Sequence, residues 1–154
     1  MPTNLATIAA RLSALGDLLG YALLRVVCGT FLVAHGWPKW VAGVETFAAN
    51  GLARRGIEPA LPLAWAVVSL ETLGGALIAA GLLTRFAAGL ATLHLAFITF
   101  WVLWPVGFAW NHGGWEFAGM WTAVLLYVTL KGGGALSVDR LLFGRAANGA
   151  GGKA

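Results

Sequence analysis

The sequence predicts an all-α integral membrane protein: four transmembrane helices packed as a bundle, with an N-terminal amphipathic helix at the membrane interface. Three observations carry that prediction. Of 154 residues, 59% are hydrophobic and only 10% charged, against roughly 45–50% and 25% in an ordinary soluble domain. Mean hydropathy is +0.80, and a chain this small cannot bury so much apolar surface within itself in water. Apolar runs of bilayer length, about 20 residues at 1.5 Å rise, recur between clusters of Pro, Gly and charge. The 22 glycines have no three-residue period, which excludes collagen and suits close helix packing in lipid. A soluble domain, a disordered chain and a nucleic-acid-binding module are thereby excluded.

The elements follow in order. Leu5, Ile8, Leu12 and Leu15 recur at helical spacing and make one apolar face, with Thr3 or Asn4 available as a cap. This helix either lies on the membrane and leads into span one or docks on a partner subunit. Span one covers about 18–35 and contains one charge, Arg25; span two covers 60–83 and contains Glu71. Span three, 86–104, is uncharged and stops before Pro105; span four, 115–130, is short and opens on Glu116. All four belong to one domain over 1–145, followed by a Gly/Ala tail at 146–154 expected to be mobile.

Four spans place both termini on one side. That side collects Arg11, Arg85, Lys131, Arg140, Arg145 and Lys153, against Lys39, Arg54 and Arg55 opposite. The excess predicts a multi-pass protein of the inner (plasma) membrane with both termini cytoplasmic. The net charge of +4 is thus a topology signal and no nucleic-acid stripe. Cys28, the single cysteine, excludes an internal disulfide and a CxxC pair and reads as a packing residue. The N-terminus lacks the pattern of a cleaved signal peptide.

Lipid makes buried charge expensive, so intramembrane ionisable residues are site candidates. At helical rise Arg25 lies about 10 Å, Glu71 about 18 Å and His94 about 12 Å from the cytoplasmic side. The expectation is an Arg25–Glu71 ion pair with His94 beside it. It either fixes the packing or forms a site in which Arg25 or His94 donates to a quinone carbonyl, or Glu71 and His94 relay a proton. One His and one Glu beside a cation make a poor ligand set, so no metal is expected. Ser69, Thr72 and Thr92 are expected to bond to their own backbone or to the next helix, and Gly74, Gly75 and Gly81 to allow close helix approach.

The second polar place is the external half, where all eight tryptophans map. They either anchor the interface or form an aromatic cap for a flat apolar ligand or a partner protein. Candidate binding residues there are His35, Lys39, Glu116, Trp101, Trp104, Trp110 and Trp115. Asn111 and His112 lie in a loop expected to be flexible at Gly113 and Gly114, and Glu116 faces the N-terminus of span four.

Over about residues 18–139 the chain resembles the DoxX family of small membrane proteins. The resemblance rests on LLRVVCGTFLVAHGWPKW with Arg25, His35, Gly36 and Lys39, and on ETLGGALIAAGLLTR with Glu71, Gly74, Gly75, Gly81, Thr84 and Arg85. Glu116 and GGGALSVD, with Gly134, Ser137 and Asp139, complete it. WVLWPVGFAWNHGGW is richer in tryptophan than the family pattern. The resemblance implies the membrane subunit of a quinone-linked oxidoreductase of thiosulfate:quinone type; other members accompany redox-stress proteins, and distant relatives act as membrane chaperones. It implies a non-covalently bound quinone near Arg25, Glu71 and His94, the lipid bilayer as surroundings, and further membrane or periplasmic subunits as partners. No thiol pair, flavin motif or haem-ligand pattern lets the chain move electrons alone, and no metal, flavin or haem is predicted. The alternative is a non-catalytic accessory or assembly subunit of a larger complex, held by the tryptophan face and the N-terminal helix.

Overall fold

In the computed structural model, which describes residues 5–149 and side chains through 144, the N-terminal amphipathic segment and the first apolar run form one unbroken helix, α1 (Leu5–Ala42). The expected interfacial helix is therefore not a separate element. Only Gly16 and Asp17 separate the two runs, and once a helix exists each added residue gains a backbone hydrogen bond, so two weak formers do not stop it. At 1.5 Å per residue α1 is about 57 Å long, nearly twice the hydrocarbon thickness. The suggested caps Thr3 and Asn4 lie outside the described residues.

After α1 the chain does not run as an open loop. Helix α2 (Val44–Phe47) continues through a wide turn at 48–52 and a tight one at 53–55, folding back along the next helix so that Val44 and Ala48 bury against Ala64 and Val68. Helix α3 (Ala60–Ala80) and helix α4 (Thr84–Val106) follow, then α5 (Glu116–Lys131) and α6 (Val138–Gly149). Among the described residues there is no strand. By length and composition three helices, α1, α3 and α4, suffice to cross a membrane; α5, with 16 residues, is shorter and packs along α4 in the most extensive helix pairing of the fold. Helix α3 ends three residues earlier than expected because Gly81 adopts φ 74° and closes it, a left-handed cap. Part of the expected tail, 146–149, continues α6; residues 150–154 lie outside the described residues.

Two faces follow from this order. The arginine face holds the α3–α4 turn and the end of α5; the tryptophan face holds the end of α1, the start of α3 and the end of α4. Every tryptophan belongs to the second half: Trp37, Trp40, Trp65, Trp101, Trp104, Trp110, Trp115 and Trp121. Leu23, Leu73, Leu93 and Phe100 stand mostly exposed in mid-helix, as lipid-facing side chains do.

The interior is narrow and built on small residues. Ala87, Ala88 and Ala91 of α4 pack with Leu125 and Val128 of α5, beside Cys28, Leu32 and Ile78. Cys28 is thus a core residue, as expected. Helices α1 and α3 cross where Gly29 faces Gly75: a Cβ on Gly29 would overlap the backbone of Ala79 and Gly75. Gly29→Ala is expected to destabilise the fold by about 1–3 kcal/mol, since backbone must move to admit the methyl. Gly20, with nothing within 4 Å, should accept alanine with a gain of about 0.5–1 kcal/mol. Thermal unfolding of the two variants in one detergent checks the contrast.

Candidate functional site

The expected Arg25–Glu71 ion pair does not form. Arg25 is buried on the arginine face, where Nη1 donates to the carbonyls of Ile78 and Ala79 (2.6 Å each) and Nη2 to that of Leu136 (2.7 Å). The cause is register. The Gly29–Gly75 crossing sets Gly36 against Glu71 and Thr72, and Arg25 lies eleven residues below Gly36, about 16 Å along α1. That is beyond side-chain reach. What lies within reach of Arg25 is the end of α3, where carbonyls of the last turn run short of backbone donors and Ile78 O has the Gly81 amide besides the guanidinium.

Around Arg25 the motif residues of the α3–α4 turn and the α5–α6 loop close a clasp. Asp139 accepts from the Leu83 and Thr84 amides (2.7 and 3.0 Å) and the Thr84 hydroxyl (2.8 Å), while its own amide donates to Gly81 O. Tyr21 donates to Gly132 O. Burial pushes the Asp139 carboxyl upward, but the Thr84 and Leu83 hydrogen bonds outweigh it and hold the group below the ordinary aspartate range. A depressed folded pKa adds stability that is present above the unfolded value, about 3.9, and is lost as pH falls through the folded one. We expect the thermal midpoint to drop as pH is lowered from 5 toward 2, and this part of the drop to vanish in Asp139→Asn.

Glu71 sits near mid-membrane, about 16 Å from the start of α3 and 14 Å from its end. It lies in a π-type turn, 70–74, a widened turn that recurs at functional sites. Here it turns the successive residues Glu71 and Thr72 both inward. Lys39 donates to Glu71 Oε2 in an ion pair, and His94 Nε2 lies 3.4 Å from Oε1. The Glu71 side chain is 7% exposed, His94 12% and Lys39 24%. Lys39 also lies over the Phe47 ring at 5.1 Å, so the fold-back after α1 covers the pair. Thr72 bonds to Val68 O as expected and also accepts from Trp40 Nε1 at 3.1 Å; Thr92 bonds to Ala88 O.

This cluster separates two cavities. One, about 450 Å³, runs from the α4–α5 loop down between α1, α4 and α5 and is mostly apolar, walled by Phe31, His35, Trp110, Phe117 and Trp121. The other, about 760 Å³, opens under the fold-back and is rimmed by Arg55, Glu58 and Trp101, with His94 at its inner wall. Lys39, Glu71, Ile98 and Leu103 border both. Ile98–Leu103 is itself a π-type turn.

Of the residues proposed from sequence, the structure therefore gathers Glu71, His35, Lys39 and Trp110 around the first cavity and puts His94 and Trp101 on the second. Arg25 is elsewhere. Trp104 and Trp115 stack on each other at 4.9 Å, with Phe108 on Trp115, and line neither cavity. Glu116 accepts from the Trp110 amide at 3.3 Å, holding the loop at the start of α5. The loop expected to be flexible is a hydrogen-bonded turn, with Gly114 donating to Ala109 O and Trp115 to Gly107 O. His112 is exposed on it. Lys39, counted from sequence with the external cations, instead reaches inward. The readable signal was its spacing: fourteen residues, about four turns, place it on the same face of α1 as Arg25, so both were candidate partners for Glu71.

The sequence model of the DoxX family matches residues 20–104, more than half of the chain, and includes Arg25, Lys39, Glu71 and His94. No curated protein and no solved structure matches the chain.

Proposed function

The chain belongs to the DoxX family, and on that premise we propose that it is a four-span membrane subunit that binds a quinone beside Lys39, Glu71 and His94 and works within a larger oxidoreductase. In this reading α5 and its flanking loops complete the fourth crossing, and both termini face the cytoplasm of an inner (plasma) membrane. The charge pattern supports that orientation: with Lys39 turned inward to Glu71, Arg54 and Arg55 remain opposite the six cations of the other side.

The observation that carries the reading is a charged cluster at mid-membrane opening into an aromatic-walled cavity. The donor set fits a quinone. A flat ring needs apolar walls, and Phe31, Phe117 and Trp121 provide them; its carbonyls need donors, and Lys39 and His35 carry N–H groups at the cavity, with His94 behind Glu71 on the side of the second one. When bound, a quinone supplies an acceptor for two electrons and two protons. Electrons come from a partner subunit, because Cys28 is the single thiol. Glu71 and His94, in contact with each other and facing the second cavity, hold and pass protons, and Lys39 supplies the countercharge beside the carboxylate.

Quenching of tryptophan fluorescence by a short-chain quinone tests this in detergent, since Trp110 and Trp121 line the cavity. We expect saturable one-to-one quenching, weakened at least tenfold in Lys39→Met. Quenching that rises linearly without saturation, in a folded wild-type protein, overturns the reading.

One observation favours the accessory role as a second reading. Helix α1 exceeds the bilayer, and its first apolar face, Leu5, Ile8, Leu12 and Leu15, is exposed. A neighbouring subunit is the occupant that such a face needs outside lipid. Under this reading, Leu12→Glu alone should release the chain from its complex on a native gel while quinone quenching persists.

A further inference from the structure

Away from the quinone site and independent of that reading, two cavities meet on the outer surface of the α4–α5 pair. One, about 410 Å³, lies at the arginine face between Arg85, Lys131, Gly132 and Gly133. The other, about 390 Å³ and almost wholly apolar, continues from it along the two helices past Gly89, Leu90 and Leu93 to Thr92 and Thr129. Arg85 and Phe86 border both, so a charged mouth opens into a greasy groove running toward mid-membrane.

We propose that this paired cavity is a binding site for an anionic phospholipid. The phosphate sits between Arg85 and Lys131 against the Gly132–Gly133 backbone, and one acyl chain lies in the groove over Gly89. Charge favours an anion: the mouth holds two cations and one carboxylate, and that carboxylate, Asp139, is already occupied by Thr84 and Leu83. Basic mouths between transmembrane helices recognise anionic headgroups in this manner. The small residues explain the groove. Gly89 has no side chain to fill it, and an added Cβ would meet only the Thr129 methyl at 3.6 Å. Lys131 is held in place by its position over the Tyr21 ring at 4.4 Å and by Tyr127.

The full chain in an uncharged detergent, monitored by thermal unfolding and native mass spectrometry, tests the site with phosphatidylglycerol, phosphatidylcholine and inorganic phosphate. We expect phosphatidylglycerol to stabilise saturably, at least tenfold tighter than phosphatidylcholine, and phosphate alone to have no effect below millimolar levels. Arg85→Gln with Lys131→Gln should abolish that preference. Gly89→Leu, which fills the groove and leaves the mouth intact, should weaken binding of both lipids. Equal affinity for the two lipids, a preference that survives the double substitution, or stabilisation by phosphate equal to that by phosphatidylglycerol would each overturn the proposal.

Discussion

Lys39→Met is expected to destabilise the protein by about 3–5 kcal/mol, because it leaves Glu71 buried near mid-membrane with only His94 as a partner, and an uncompensated buried charge costs that much. The reverse change is gentler. In Glu71→Leu the freed ammonium belongs to a side chain that is 24% exposed and lies three residues from the end of α1, so it can extend toward the tryptophan face. A cost of about 1–2 kcal/mol is expected there. In the double variant Lys39→Met, Glu71→Leu no charge is stranded, and stability should return to within about 1 kcal/mol of the parent. Reversible unfolding in mixed micelles measures all three. Function separates what stability does not: if the cluster binds quinone, the stable double variant still fails to quench saturably. A stable double variant that binds normally would reduce the pair to a packing device.

The apolar runs, their order and the one-sided tryptophans were legible because each rests on composition within a single helix. What was not legible depends on register between helices. Depths counted from assumed span ends put Arg25 and Glu71 within about 8 Å of each other, but two of the helices are bounded elsewhere. Helix α1 has no boundary at Leu18, and α3 stops at Gly81. The crossing at Gly29 and Gly75 then decides which α1 residue meets Glu71, and no pattern inside either helix encodes that pairing. The fold-back at 44–55 was hidden for a different reason. Its anchoring residues Val44 and Ala48 sit in a short stretch with Gly, Asn and Arg and no long apolar run, so it reads as a loop until they are seen to bury against Ala64 and Val68.

Arg25→Ala should be among the most damaging single changes in the chain, by about 3–5 kcal/mol. Three carbonyls lose a charged donor at once; Ile78 O keeps the Gly81 amide, and each of the other acceptors left unpaired costs about 1–3 kcal/mol, less where water enters from the arginine face. The damage should stay local. Gly81 lies against both the Arg25 guanidinium and Ser137, and Arg25 also bonds to Leu136 O, so the α3–α4 turn and the α5–α6 loop should loosen together and gain amide exchange, while the Lys39–Glu71 pair about 16 Å away does not. Arg25→Lys restores a charge and three donors but not the planar fork that reaches two elements simultaneously; about half of the loss should return. A double-mutant cycle between Arg25 and Glu71 then decides between the two pairings. Residues in contact couple by about 0.5–3 kcal/mol, and sites this far apart add to within about 0.5 kcal/mol. Additivity is the expected result, with quinone quenching in Arg25→Lys unchanged within twofold. Coupling above about 1 kcal/mol would mean that the two charges sense each other and that the clasp and the mid-membrane cluster are one site.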